Sequence, residues 1–137
     1  MTDFSKKCLT QIFVDRRHKD VHQAWQDHSN KGFHICYEVN LVFSDKSVFI
    51  IKPSEVEIEG RYPALGLSVE QEATCNVSTK FEVSELPMTI NCASYSDYLG
   101  EDADNEITLR FEHKLEIAIR HVFPPMTLGI KVRGVDA

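Results

Sequence analysis

Two pairs of side chains in this 137-residue chain have the types and spacing for metal or nucleophile chemistry. His18 and His22 stand at i and i+4, so on a helix their imidazoles would project from one face and could share a metal ion. His34 and Cys36 stand at i and i+2, on one face of an extended strand, a pattern that suits a metal or a Cys–His nucleophile. Each pair lacks what would complete it. There is no HExxH around the first and no evident third group to orient the base of the second, so solvated histidines and an ordinary strand pair are the plainer readings. Asp102, Asp104 and Glu106 place carboxylates at alternate positions, as a calcium loop begins. The sixth position, however, is Ile107 where such a loop needs glycine, and the twelfth is His113 where it needs glutamate. This acidic stretch reads instead as a solvated connection or as capping charge at a helix N-terminus. No GxGxxG, GxxxxGK[ST] or GxSxG occurs. The sequence therefore predicts no catalytic residue, no metal and no cofactor; an enzyme or small-molecule-binding protein without a recognisable motif is an alternative.

Composition bounds the rest. Length predicts one domain over 1–137, with enough chain to bury a core without metal or disulfide support. The formal net charge of −6 argues against nonspecific nucleic-acid binding, which needs Lys and Arg against phosphate, and is compatible with a basic protein partner. No apolar run is long enough to span a bilayer. The first residues, MTDFSKKCLTQ, lack a charged segment followed by an apolar one, so no secretory signal is expected and the location predicted is cytoplasmic. Cys8, Cys36, Cys75 and Cys92 are widely spaced without a CxxC, which fits reduced thiols.

The elements that would position these groups follow from periodicity. Residues 3–14 fit a helix with Phe4, Cys8, Leu9 and Ile12 on one face, or a strand at 8–14. Asp20 to Ser29 reads as a short helix. Phe33 to Phe43 alternates as a strand and, through the turn Ser44-Asp45-Lys46-Ser47, forms a hairpin with Ser47 to Ile51. Pro53 is expected to interrupt the pairing, and Glu55 to Glu59 alternates again. Leu67 and Val69, then Cys75 to Val83 and Leu86 to Cys92, continue the strand pattern. Ser94 to Asn105 is an acidic loop, and Thr127 to Val132 is a last strand.

The longest patterned stretch is Asp104 to Pro125, and two templates fit it. At period two Ile107, Leu109, Phe111, Leu115, Ile117 and Ile119 share a face. At period 3.6 Ile107, Phe111, Leu115, Ala118, Ile119 and Val122 form a stripe, leaving Leu109 and Ile117 outside. Asp104 as a cap, the pairs Glu106–Arg110 and Glu116–Arg120 at i,i+4, and a stop at Pro124-Pro125 favour the helix. A strand, or a hairpin turning near Glu112 to Lys114, is the other reading. The expected fold is α+β: an antiparallel sheet from about residue 33 to 92, an N-terminal helical segment, and a long C-terminal helix over 104–123 packed on the sheet. Ile35, Tyr37, Val39, Leu41, Ile107, Phe111, Leu115 and Ile119 are the expected core.

The segment closes with HVFPPMTLGIKV. Phe123, Pro124, Pro125, Met126, Leu128 and Ile130, after a candidate helix over 104–122, resemble the C-terminal region of SecB-type chaperones. There a long helix precedes a Phe-Pro-Pro-Leu-like turn and an apolar extended segment. The resemblance covers residues 104–132. It implies a non-catalytic, homo-oligomeric protein that binds unfolded or basic polypeptides along apolar grooves. A small acidic α+β chain without catalytic motifs also has the profile of a bacterial immunity protein or antitoxin, which masks a basic toxin by charge complementarity. Either way the partner is another protein, not nucleic acid or a membrane. The residues expected to meet it are Asp97, Glu101 and Asp102 of the acidic loop, with Phe123, Met126 and Leu128.

Overall fold

Ile107, Leu109, Ile117 and Ile119 decide the architecture. In a helix Leu109 and Ile117 would face away from the apolar stripe. In the structure, a computed structural model describing residues 2–15, 32–123 and 125–134, they sit on two strands, β9 (Glu106–Arg110) and β10 (Glu116–Val122). These are joined by a 3-10 turn at Glu112–Lys114, where His113 and Lys114 take left-handed φ of 63° and 66°. Ile117 lies opposite Leu109, and Ile119 opposite Ile107; all four have 0% exposure. The long C-terminal helix expected over 104–123 is thus absent, and the hairpin turning near Glu112 to Lys114 takes its place.

Energetics explain the outcome. Burying a large aliphatic side chain stabilises by about 1.5–3 kcal/mol, whereas an i,i+4 ion pair contributes about 0.2–0.5 kcal/mol. The ion pairs are not even forfeited. Arg120 stands opposite Glu106 and Glu116 opposite Arg110, so the four charged residues that could pair along a helix pair across the ladder instead.

The remaining strands are β1 (Cys8–Val14), β2 (His34–Cys36), β3 (Val39–Phe43), β4 (Val48–Val56), β5 (Ala64–Glu72), β6 (Thr79–Lys80), β7 (Met88–Thr89), β8 (Cys92–Ser96) and β11 (Thr127–Arg133). They form two antiparallel sheets. The first has the order β5-β4-β3-β1-β6, with β7 also on β1; the second has the order β2-β11-β10-β9-β8. One core fills the space between them. Leu9, Ile12, Val39, Leu41, Phe43, Phe49 and Ile51 of the first sheet meet Ile107, Leu109, Ile117, Ile119, Leu128 and Ile130 of the second. The described residues contain no α-helix, so the α+β class is corrected to a two-sheet β-sandwich. Residues 8–14 take the strand alternative. The helix expected at Asp20 to Ser29 and the pair His18/His22 lie outside the described residues.

Two finer expectations also change. The alternation of Phe33 to Phe43 continues unbroken, but the chain changes sheets at Tyr37-Glu38. Ile35 packs with Phe33, Ala118 and Val122 in a small cluster on the outer face of the second sheet, while Val39, Leu41 and Phe43 face the main core. The hairpin is therefore β3–β4, not the whole of 33–51. Pro53 does not interrupt pairing either. β3 ends opposite Ile51, so the N–H that Pro53 lacks has no partner to miss, and β4 continues to Val56 against β5. All the expected core residues are buried except Tyr37, which is half-buried.

Candidate functional site

One end of the sandwich is organised by two buried polar side chains. Asn105, 0% exposed at the entry to β9, accepts from the Tyr98 N–H at 3.0 Å through Oδ1. Its Nδ2 donates to Asp97 Oδ1 at 2.8 Å and to the Ala103 carbonyl at 3.2 Å. Asp97 in turn accepts from the Glu101 N–H (2.9 Å) and the Asp102 N–H (2.8 Å). These bonds, the Glu101 N–H foremost, hold the Asp97 carboxyl below its ordinary value. The loop 97–104 is thereby a fixed turn around one carboxylate.

That loop is sewn to the first sheet. Leu67 donates its N–H to the Asp104 carbonyl at 3.1 Å, and Leu65 donates to Glu101 Oε1 at 3.2 Å. From the β4–β5 connection, Arg61 pairs with Glu101 at 3.3 Å and with Asp102 at 3.4 Å, its guanidinium over the Tyr62 ring at 4.7 Å. Arg61 is partly exposed, so these pairs orient the loop more than they stabilise it.

His121, 0% exposed, ties in the β10–β11 turn. Its Nδ1 is 2.9 Å from the Gly66 carbonyl and its Nε2 accepts from the Met126 N–H at 2.8 Å. Since Nε2 is the acceptor, the proton is on Nδ1 and the ring is neutral. Burial lowers its pKa against the opposing pull of the Gly66 carbonyl and the charges of Glu101 and Glu55. The Tyr98 hydroxyl donates to the His121 carbonyl. Beside it, Arg120 and Glu106 form a buried pair at 2.6 Å, the guanidinium lying between the rings of Tyr98 (4.0 Å) and Phe33 (4.5 Å).

The structure thus brings together most of the residues expected to meet a partner. Asp97, Glu101 and Asp102 share the loop, and the turn holding Phe123 and Met126 is joined to it through His121. Leu128 is corrected to a core residue, with no exposure. Sequence reasoning missed Val56, Tyr62 and the carboxylates of the β4–β5 connection. The exposed large apolar residues among the described ones are Val56, Tyr62 and Met126, and all three are at this end. The signal was present in EVEIEGRYP, whose charges crowd a turn, but it takes tertiary contacts, the ion pairs of Arg61 foremost, to bring that turn to the acidic loop.

Neither His34 with Cys36 nor the triplet Asp102, Asp104 and Glu106 is arranged for the chemistry that its spacing suggested. His34 and Cys36 both line a cleft of about 420 Å³ between β2 and β6. Burial, with the charge of Asp15, pushes the Cys36 thiol up to about 12, opposite to what a nucleophile needs. The His34 ring packs edge-on to Phe81. Of the calcium-like triplet, Glu106 is taken by Arg120 and Asp102 by Arg61. Among the described residues no three His, Cys, Asp or Glu side chains converge as metal ligands, and no helix is long and apolar enough to cross a membrane. The four cysteines are free.

No protein-family model matches this chain, and neither the curated proteins nor the solved structures compared with it give a match.

Proposed function

We propose that this protein is a non-catalytic polypeptide-binding domain whose acidic end receives a basic surface of one protein partner. The observation that carries this is where the charge lies. Glu55 near the end of β4, Glu57 and Glu59 in the β4–β5 connection, and Asp97, Glu101, Asp102 and Asp104 in the acidic loop are seven carboxylates against one cation, Arg61, that pairs among them; Arg120 is spent on Glu106. The rest of the chain then holds 14 acidic residues (21 less 7) and 14 basic ones (15 less 1). Among the described residues the others come to 11 acidic and 10 basic, so their excess negative charge lies at the end that also exposes Val56, Tyr62 and Met126. A focused field of one sign speeds encounter with an oppositely charged protein, and exposed apolar side chains within it supply contact area that outlasts screening.

The test is a pull-down from the native source with the wild-type protein and with Glu57→Lys/Glu59→Lys/Asp102→Lys, three exposed positions whose reversal leaves the core untouched. One stoichiometric basic protein retained by the wild type and lost by the variant is the expected result. Association should also slow steeply between about 50 and 300 mM salt, as the Debye length contracts. Many clients held equally by both proteins, or a bound small molecule with no protein, would overturn the proposal.

A further inference from the structure

We infer that the partner adds a strand to the open edge of β5, along Ser68 to Glu72. This deepens the preceding proposal and rests on it. β5 is the outermost strand of the first sheet. In an antiparallel ladder the N–H and C=O of one residue point the same way, alternating along the strand. Leu65 and Leu67 send their N–H groups away from β4, to Glu101 and to the Asp104 carbonyl. By the same alternation Val69 and Gln71 direct both backbone groups outward. The acidic loop closes the edge only as far as Leu67; among the described residues nothing bonds to it beyond that point. The other edges offer less. β2, β6 and β7 have three, two and two residues, and β8 has Ser5 Oγ on the Ala93 N–H and the Thr2 carbonyl on the Tyr95 hydroxyl.

The edge has side-chain character to match. A cleft of about 520 Å³ lies beside it, lined by Thr2, Val56, Leu67, Val69, Tyr95 and Asp104. Leu67 and Val69 lean toward the core, so every second residue of an added strand would face this cleft and the residues between would face solvent beside Glu70 and Glu72. The fitting occupant is an extended segment alternating apolar residues with Lys or Arg. A second copy is disfavoured, because antiparallel pairing of β5 with itself would set Glu70 and Glu72 against their own like charges, a common protection of edge strands. The cleft reaches the acidic end through Val56 and Asp104, so a single basic chain can engage both.

The probe is an octapeptide of alternating lysine and valine, with a copy N-methylated on its lysines and another on its valines, titrated into the intact protein at low salt. Hydrogen exchange is read residue by residue. The parent peptide should bind and protect the Val69 and Gln71 amides. One of the two methylated copies, the one whose blocked edge faces β5, should bind about tenfold more weakly, since it cannot complete the ladder. Val69→Pro, which removes an N–H not used by β4, should weaken the parent peptide to a similar degree. Binding with those amides unprotected and both methylated copies equal to the parent would overturn strand addition while leaving the acidic-end proposal standing. No binding of any peptide would overturn that proposal as well. If Val69→Pro does not fold, the methylated peptides and exchange still decide.

Discussion

His121 couples the loops of the acidic end to pH. Its ring is buried, neutral and satisfied on both nitrogens; protonation would turn Nε2 into a donor facing the Met126 N–H. The unfolded chain takes up that proton near the ordinary value of 6.5, the folded chain only at lower pH. Below that value the unfolded state therefore binds more protons, and stability falls with falling pH until the folded group also titrates. The thermal midpoint should drop between about pH 7.5 and 5.5, and His121→Gln should remove part of that slope while lowering the midpoint at neutral pH. An unchanged slope in the variant would remove His121 from this role. Arg120 tests a second residue-scale claim. Arg120→Met leaves the Glu106 carboxylate buried without its cation and should cost about 3–5 kcal/mol in denaturant titrations. Adding Glu106→Leu should recover most of the loss, because an apolar pair tolerates the site better than a lone charge.

At the scale of elements, the β9–β10 hairpin carries the fold. Leu109→Ala should cost about 2–5 kcal/mol; a helix with Leu109 on its outer side would lose far less. Gly129 is as restrictive for a different reason: a Cβ there would lie 3.1 Å from the Phe33 ring and 3.2 Å from Val122. Gly129→Ala should displace Phe33 from Arg120 and cost about 1–3 kcal/mol, with a shifted near-ultraviolet spectrum as the readout. The hairpin also shows where the sequence is ambiguous. Ile107, Phe111, Leu115 and Ile119 belong to both templates, and Glu106, Arg110, Glu116 and Arg120 make pairs in both. Only Leu109 and Ile117 discriminate, and they do so by being buried, which is a tertiary fact. β3–β4 was legible because its turn chemistry and its alternation agree. The jump between sheets at Tyr37-Glu38 was not, since period two runs through it without a break. The acidic loop was visible as charge, whereas its junction with 55–63 depends on Arg61 and on Asn105, whose buried amide no pattern announces.

At the scale of the whole molecule, the asymmetry of the described residues is electrostatic: a nearly balanced body with the excess negative charge at one end. This predicts an association rate that responds to salt far more than the dissociation rate does, measurable by stopped flow once the basic partner is in hand. Reversal of charges elsewhere, such as Glu82 or Glu85 on the opposite side of the first sheet from β5, should change neither.

The place of β1 in the first sheet governs how the molecule can be made. Residues 8–14 are made well before their neighbours on one side: they lie between β3 and the pair β6 and β7, whose residues run from 79 to 89. The strand therefore waits, half-partnered, until β6 and β7 have been made, and its loop must close over some seventy residues before the sheet is complete. Such a topology belongs with slow folders, on the order of milliseconds to seconds. In that interval Leu9 and Ile12 are sticky chain rather than core, so the yield of native protein should fall with refolding concentration long before any defect shows in its equilibrium stability.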